Sequence, residues 1–462
     1  MIDEDSALKV TKDACKKGAD YCEIFAQRRR VTHVRFEDGK VEDISNGLEE
    51  GAGIRLIKGN LAAYAHTDNI DHEHIWKAAS IACETLKHSK SPSVVVSLAN
   101  SGISRESRLQ NFESEISLEQ IVENLKACND VARSTGKDIR QVTASHEGIA
   151  EEVQIITSSG QNIAFSLERT RLVVNVVAKR NGILQTGLEA PGFLLGRSFY
   201  EKVNPCEVAG KAANRAVVML DAKPSPAGKM LVVVNAGTGG VLFHEACGHG
   251  LEADHVRKRA SVYFGKTGSK VACELVTICD DPTIPDLWGS YVFDDEGTAG
   301  RRKILIENGI LRGYLYSLYE AMQEGMESNG NGRRQSFRYP PIPRMSNTFL
   351  AEGKTEPEDI ISDTKYGLYA KKLGGGQVDP VTGDFVFSVS EGYIIENGEV
   401  TYPVRGATLI GNGPRTLEMI DAIGNNLCFE EGTCGKEGQG VPVTSGCPTF
   451  RIAGLTVGGT KV

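Results

Sequence analysis

No apolar run in this chain of 462 residues approaches the roughly 20 residues that cross a bilayer, so a helical membrane protein is excluded. No targeting leader is expected either: the first ten residues, MIDEDSALKV, are acidic and polar, unlike a secretory signal or transit peptide. There is no basic excess. A net charge of −8 gives nucleic acid nothing to hold, and no direct contact with it is expected. The eleven Cys are odd in number and lack framework spacing, which excludes a disulfide scaffold and points to a reducing, cytoplasmic setting. What remains is ordinary globular composition, 40% hydrophobic and 24% charged, long enough for two or three domains.

The clearest seam is DAKPSPAGKM, Asp221 to Met230, where Pro, Ser and Gly interrupt periodic sequence. It divides an N-terminal α/β domain, residues 1–225, from a β-rich domain, residues 226–462. The first half alternates helical stretches (Ser6 to Lys17, Asp71 to Lys87, Leu118 to Ser134) with strand-like ones (Tyr21 to Ala26, Leu172 to Lys179). Asp38-Gly39 is a hairpin signal within FEDGKVEDI. A mainly antiparallel sheet is expected there, with a peptide cleft and dimer contacts, and a weaker boundary falls at His88 to Arg108. The second half carries two Asn-Gly hairpins, IENGIL at Ile306 to Leu311 and IENGEV at Ile395 to Val400, whose likeness hints at an internal repeat. The fold class expected is α+β in two domains, the second strand-rich, barrel-like and carrying a helix with metal-ligand spacing.

That helix is the most informative feature. HEACGH, His244 to His249, sets two imidazoles and a carboxylate close together. In the H-E-x-x-H pattern the two His lie at i and i+4 on one helical face, and the Glu acts as general base. Here the spacing is one residue longer, which on an ideal helix turns the second His about 140° from the first, against about 40° for i+4. Gly248 and Gly250 flank the second His and allow the helix to widen into a π turn or end there. MLVVVNAG, Met230 to Gly237, reads as a buried strand, GTGG as a turn and VLFHEACGHGLEAD as the helix. Glu245 beside a ligand His has a purpose only where a water must be deprotonated.

Two His leave the coordination short, since catalytic zinc usually takes three protein ligands and one open position. Local rules leave Cys247, Glu252, Asp254, His255 and the distant Cys434 as candidates. Cys434 stands in EGTCGKEGQG, where glycines permit close approach and Lys436 favours a thiolate. Elsewhere, Gly374, Gly375 and Gly376 could expose backbone to an extended peptide, although a flexible turn is the plainer reading. Asp294 and Asp295 could orient a ligand His, against a solvated turn. Arg333, Arg334, Arg338 and Arg344 could hold a peptide carboxylate, against internal salt bridges. His146 and the Cys273 to Cys279 string read as structural.

The chain resembles the TldD/PmbA (TldD/TldE) family, and within it the TldD branch, which keeps the metal motif. The resemblance spans nearly the whole chain. It rests on HEACGHGLEAD (His244 to Asp254), FDDEGT (Phe293 to Thr298), LIENGIL (Leu305 to Leu311) and GNGRR (Gly330 to Arg334). PRMSNT (Pro343 to Thr348), GGGQVD (Gly374 to Asp379), GATLIG (Gly406 to Gly411), CGKEGQ (Cys434 to Gln439) and LTVGGT (Leu455 to Thr460) continue it in order. The resemblance implies a metalloprotease in which His244, His249 and Cys434 hold the metal and Glu245 is the general base. It implies Zn²⁺, with iron or another divalent metal as the variant, and modified peptides or small unfolded proteins as substrates. It also implies dimers, either with a TldE/PmbA-like paralogue or with a second copy. A modulator of DNA gyrase label attaches to the family, and the acidic charge makes that effect indirect. Two functions are weighed: a zinc peptidase, and a noncatalytic peptide-binding or regulatory subunit that uses metal as a staple. Glu245 favours the first, because a structural zinc site needs no carboxylate beside its His.

Overall fold

The computed structural model describes residues 2–88, 93–98 and 116–459. Most of the weak boundary at His88 to Arg108 therefore lies outside the described residues. The N-terminal half is one sheet with helices on a single face. Its strands run in the order Ser93–Leu98, Leu61–Thr67, Lys40–Lys58, Tyr21–Glu37, Ile139–Thr157, Asn162–Arg180 and Ile183–Glu189. All neighbours are antiparallel except Leu61–Thr67 with Ser93–Leu98, which the helix His72–His88 connects as a parallel crossover. Tyr21 to Ala26 and Leu172 to Lys179 are parts of far longer strands, of 17 and 19 residues. Their flanks are charged, so hydrophobic pattern alone stops short of them. The 37–40 hairpin closes on Asp38 and Gly39, both at positive φ.

Helix Glu4–Lys16 starts on the Asp3 side chain, which accepts from Ser6 N, and Leu118–Ser134 starts on Ser117 in the same way. With His72–His88 and Pro205–Leu220 they cover the even-numbered face of the central strand, packing on Cys22, Ile24, Ala26 and, further along, Val34 and Phe36. The odd-numbered face turns to the C-terminal half. There Phe25 meets Phe337, and Glu23 joins Arg55 at 2.5 Å and Arg334, while Arg55 reaches Glu296 at 2.6 Å. Every member of this charged network is 5% exposed or less, so the two halves are joined by paired, buried charge as well as by apolar contact.

The C-terminal half contains a closed five-stranded barrel. Tyr366–Val378 pairs with Gly228–Val234, which pairs with Phe450–Gly458, then Thr408–Asn412, then Asp384–Glu396, and this last strand pairs back to Tyr366–Val378. Lys223 and Pro224 already pair with Val404 and Arg405 on the barrel's flank, inside the proline-rich seam. A second sheet of six strands runs Ile310–Leu311, Lys303–Glu307, Ile278–Asp280, Asn347–Leu350, Gln439–Cys447 and Cys428–Lys436. Cys428–Lys436 is its edge. The two Asn-Gly hairpins turn at Asn308-Gly309 and Asn397-Gly398, all four residues at positive φ, but one belongs to the six-stranded sheet and the other to the barrel. Their shared string thus follows from turn chemistry, because type I′ turns favour Asn-Gly.

Candidate metal centre

The segment after the barrel strand Gly228–Val234 is wedged between barrel and sheet. Gly240 starts it against the backbone of Ser445 and Gly446, where a Cβ would lie 2.4 Å from Gly446 N. Phe243 packs on Phe450, ring centres 5.0 Å apart. The helix is α only over Gly240–Phe243. It widens to a π turn over His244–Gly248 and tightens to a 3₁₀ turn over His249–Leu251 before a new helix at Ala253–Arg257. The extra residue between the His is absorbed in that π turn. His244 and His249 consequently share one face, ring centres 5.0 Å apart and perpendicular at 89°.

Cys434 arrives from the edge strand Cys428–Lys436 and completes the cluster. Its Sγ lies 3.1 Å from His244 Nε2 and 3.3 Å from His249 Nε2. The three ligand atoms lie within 4.8 Å of one another, and the three residues are buried. Burial on its own raises a thiol, but the two imidazoles outweigh it and bring Cys434 down to about 4. His249 Nδ1 lies 3.0 Å from Glu252 Oε2, which orients the ring with Nε2 toward the sulfur. Glu252 is fully buried and is nonetheless held below the usual carboxylate range, because Lys436, at 3.0 Å, and His249 overcome the burial penalty. Lys436 also donates to Asp254 at 2.6 Å and to the Pro343 carbonyl. Two imidazole nitrogens and a low-pKa sulfur, with a carboxylate behind one ring, are a donor set suited to zinc or iron. His244 Nδ1 is buried without a hydrogen-bond partner.

Glu245 stands at the cleft side of the cluster, its Oε2 3.9 Å from His249 Nε2 and its side chain 21% exposed. The cleft measures about 500 Å³ and is lined by the three cluster residues, Glu245, Thr433 and the strand from Leu373 to Val378. Gly374 and Gly376 line it; Gly375 does not, and faces open space. Close strand approach explains two of these glycines: a Cβ at Gly374 would lie 2.3 Å from Ser388 Oγ, and one at Gly376 2.0 Å from the Phe387 ring. Gly228–Val234 pairs with this strand only from Gly367 to Ala370, so from Lys371 onward one edge of it has no partner strand among the described residues.

Several sequence candidates sit elsewhere. Asp294 and Asp295 do not touch either His. Asp294 accepts from the backbone of Glu296, Thr298 and Gly332, and Asp295 from Arg334 N, so both shape the loop against the N-terminal sheet. The carboxylate that orients a cluster His is Glu252. Cys247 points away from the cluster and donates to the Phe243 carbonyl; burial pushes its thiol up to about 12. His255 and Asp254 group with Glu252 rather than with Cys434. Arg334 belongs to the buried network and Arg338 pairs with Asp68. Arg333 donates to the Met345 carbonyl, and Arg344 to the carbonyls of Gln439 and Cys434. Arg344 was thus missed as a positioning group: no spacing rule links it to a strand 90 residues away.

The family models for PmbA/TldA metallopeptidase domain 1, the central domain and the C-terminal domain match residues 22–86, 113–220 and 227–459. The chain is 36% identical over 454 residues to a metalloprotease TldD homolog of Haemophilus influenzae, covering 96% of this chain and 94% of the relative. A metalloprotease of Methanocaldococcus jannaschii is 35% identical over 440 residues, covering 92% and 94%. TldE from Thermococcus kodakarensis superposes with a TM-score of 0.78 at 22% identity, over 98% of this chain and 99% of that one. A Thermotoga maritima protein called a modulator of a DNA gyrase reaches 0.79 at 22% identity, over 98% and 100%. These last two share the fold. On the full-length match of sequence and domains, the chain belongs to the PmbA/TldD metallopeptidase family.

Proposed function

We propose that this protein is a zinc-dependent peptidase acting on unfolded or modified peptides and small proteins. The observation that carries the reading is the convergence of His244 Nε2, His249 Nε2 and Cys434 Sγ on the floor of a cleft that also presents Glu245. His244, His249 and Cys434 would hold the metal. When bound, a divalent metal acidifies water and polarises a carbonyl. A thiolate among the ligands adds negative charge and favours a slow, selective peptidase over a digestive one. Glu245 takes the proton of the attacking water and passes it to the leaving amine, and its partial exposure suits a carboxylate that must meet both. Glu252 and Lys436 keep the His249 ring turned to the metal.

Substrate backbone adds to the strand Tyr366–Val378 along its unpartnered edge, with Gly374 and Gly376 leaving room over the cleft. An extended peptide can do this and a folded protein cannot. The protein works in the reducing cytoplasm, consistent with eleven free Cys, and pairs with a TldE/PmbA-like paralogue or a second copy. Residues 1–225, none of which lines the metal cleft, supply dimer contacts, and residues 226–462 supply the cleft and the chemistry. The competing reading, a metal-stapled binding subunit, gives Glu245 no purpose. Cleavage of a denatured fluorogenic peptide library is measured for metal-loaded protein and its Glu245→Gln variant, with metal content determined for both. Wild-type cleavage with a metal-replete, inactive variant is the expected result. Equal cleavage by both removes Glu245 as base, and no cleavage by either, with or without the paralogue, leaves the binding subunit.

A further inference from the structure

The helices of the N-terminal half leave a gap in their layer. Glu4–Lys16 and His72–His88 pack on the central strand as far as Ala26, and Leu118–Ser134 and Pro205–Leu220 take over at Val34. The even-numbered residues between are Arg28, Arg30 and Thr32. Arg28 fills its part of the gap by pairing with Glu50 at 2.6 Å and Glu152 at 3.6 Å. Over Thr32 the described residues leave a cavity of about 190 Å³.

Its floor is one row across four strands, because Asn46, Thr32, Gly148 and Thr170 are direct neighbours in register. Small side chains in that row make the hollow. Ile116, Leu118 and Ile121, where the Leu118–Ser134 helix begins, give it an apolar wall. On the adjoining row stands His146, 2% exposed, its Nδ1 3.0 Å from the Tyr200 hydroxyl and its ring stacked on Tyr200. The other ring nitrogen lies over the floor, since a Cβ on Gly148 would sit 3.3 Å from His146 Nε2. That nitrogen has no hydrogen bond among the described residues, and the hydroxyls of Thr32 and Thr170 have none either.

Polar groups buried without partners cost free energy, which a ligand that bonds to them returns. The lining says which ligand. Arg30 and Glu168, on either side of Ala150 in the row beyond, carry opposite charges, and Arg169 turns its guanidinium to the other face of the sheet, to the Trp288 and Ser290 carbonyls. Burial brings His146 down to about 4, so the ring is neutral at pH 7 and offers an anion no charge. A neutral imidazole either donates or accepts at Nε2, and a hydroxyl answers both. A cavity of about 150 Å³ holds benzene, so this one takes roughly eight non-hydrogen atoms.

We propose that this cavity binds a small uncharged molecule, mostly apolar and carrying one hydroxyl or amide group, which bonds to His146 Nε2 while its body lies against Ile116, Leu118 and Ile121. The site shares no lining residue with the metal cleft and does not depend on the peptidase reading.

Binding to the full chain, metal-free and metal-loaded, is followed by fluorine NMR with para-fluorophenol, with fluorobenzene, which lacks the hydroxyl, and with para-fluorobenzoate, which is anionic. Expected is saturable binding of the phenol at about 1 mM or tighter, equal with and without metal. The other two should bind about fivefold more weakly or worse, the ratio one hydrogen bond supplies. His146→Phe should bring the phenol and fluorobenzene to equal affinity, and Gly148→Leu, which fills the floor, should weaken the phenol at least tenfold. Thermal melts report whether each variant folds, and Thr32→Leu, on the same floor and with the same expected loss, replaces either one that does not. Signal that rises without saturating, equal binding of phenol and fluorobenzene by the unaltered chain, or binding untouched by the floor variant overturns the proposal. Binding that needs the metal places the phenol at the metal centre, and tighter binding of the benzoate makes the cavity an anion site; each overturns it as well.

Discussion

Replacing Arg344 by Met should loosen the metal centre from behind. Arg344 is fully buried and makes no salt bridge among the described residues. Its guanidinium donates to the Gln439 carbonyl at 3.2 Å and to the carbonyl of Cys434 itself, so it holds both ends of the turn that carries the sulfur. Two hydrogen bonds from a charged donor contribute about 1.5–3 kcal/mol each, roughly 3–6 kcal/mol together. Met fills similar volume and removes a buried charge whose Nε has no partner, which returns about 1–3 kcal/mol. The net loss is about 2–3 kcal/mol, or roughly 4–12 °C in melting temperature for a domain of this size. Calorimetry on metal-free protein reads that loss. A chelator competition on folded protein reads the second effect, weaker metal binding, because the Cys434 backbone is no longer fixed. A variant that melts within about 1 °C of wild type and binds metal equally well would refute the argument that Arg344 positions this strand.

Glu252→Gln should bind metal roughly 10–100-fold more weakly in the same competition, since the amide orients His249 without the carboxylate's charge; unchanged affinity would remove Glu252 from the site. Gly240→Ala forces a Cβ to within 2.4 Å of backbone nitrogen on the neighbouring strand. It should destabilise the protein by about 3 kcal/mol or more and lower its metal content, measured by urea unfolding and metal analysis. His146 is buried against Tyr200, its ring 3.0 Å from the hydroxyl, and burial, helped slightly by His33, brings it down to about 4. The unfolded chain therefore takes up a proton at His146 between about pH 6.5 and 4 that the folded chain refuses, and stability falls as pH falls through that window, by up to about 3 kcal/mol. His146→Gln should flatten this slope in urea unfolding followed against pH; an unaltered slope would mean that other groups cause it.

Much of this was legible in order along the chain. Leu118 to Ser134 read as a helix and is one, because its period and its Ser117 cap are local. The i+5 spacing with flanking glycines foretold a widened turn, since a helix can bring both His to one face only by absorbing the extra residue. Asp294 and Asp295 misled for the opposite reason. A run of carboxylates has the same local appearance whether it faces a metal, solvent or, as here, backbone N–H groups of a distant loop. Glu252, four residues from a well-read motif segment at Gly248, was within sight as a ligand, but its pairing with Lys436 depends on a strand 184 residues further on.

By itself the sequence determined the local elements, the turn chemistry of the Asn-Gly and Asp-Gly hairpins and the presence of two His with a carboxylate between them. These follow from backbone sterics, capping and hydrophobic period, which act over a few residues. Only the tertiary structure decided that the barrel closes on itself, that Cys434 rather than Cys247 meets the His pair, and that Arg344 and Lys436 stand behind them. Those contacts join residues 90 to 190 positions apart and are chosen by packing and by the need to pair buried charge, neither of which leaves a fixed spacing in the chain.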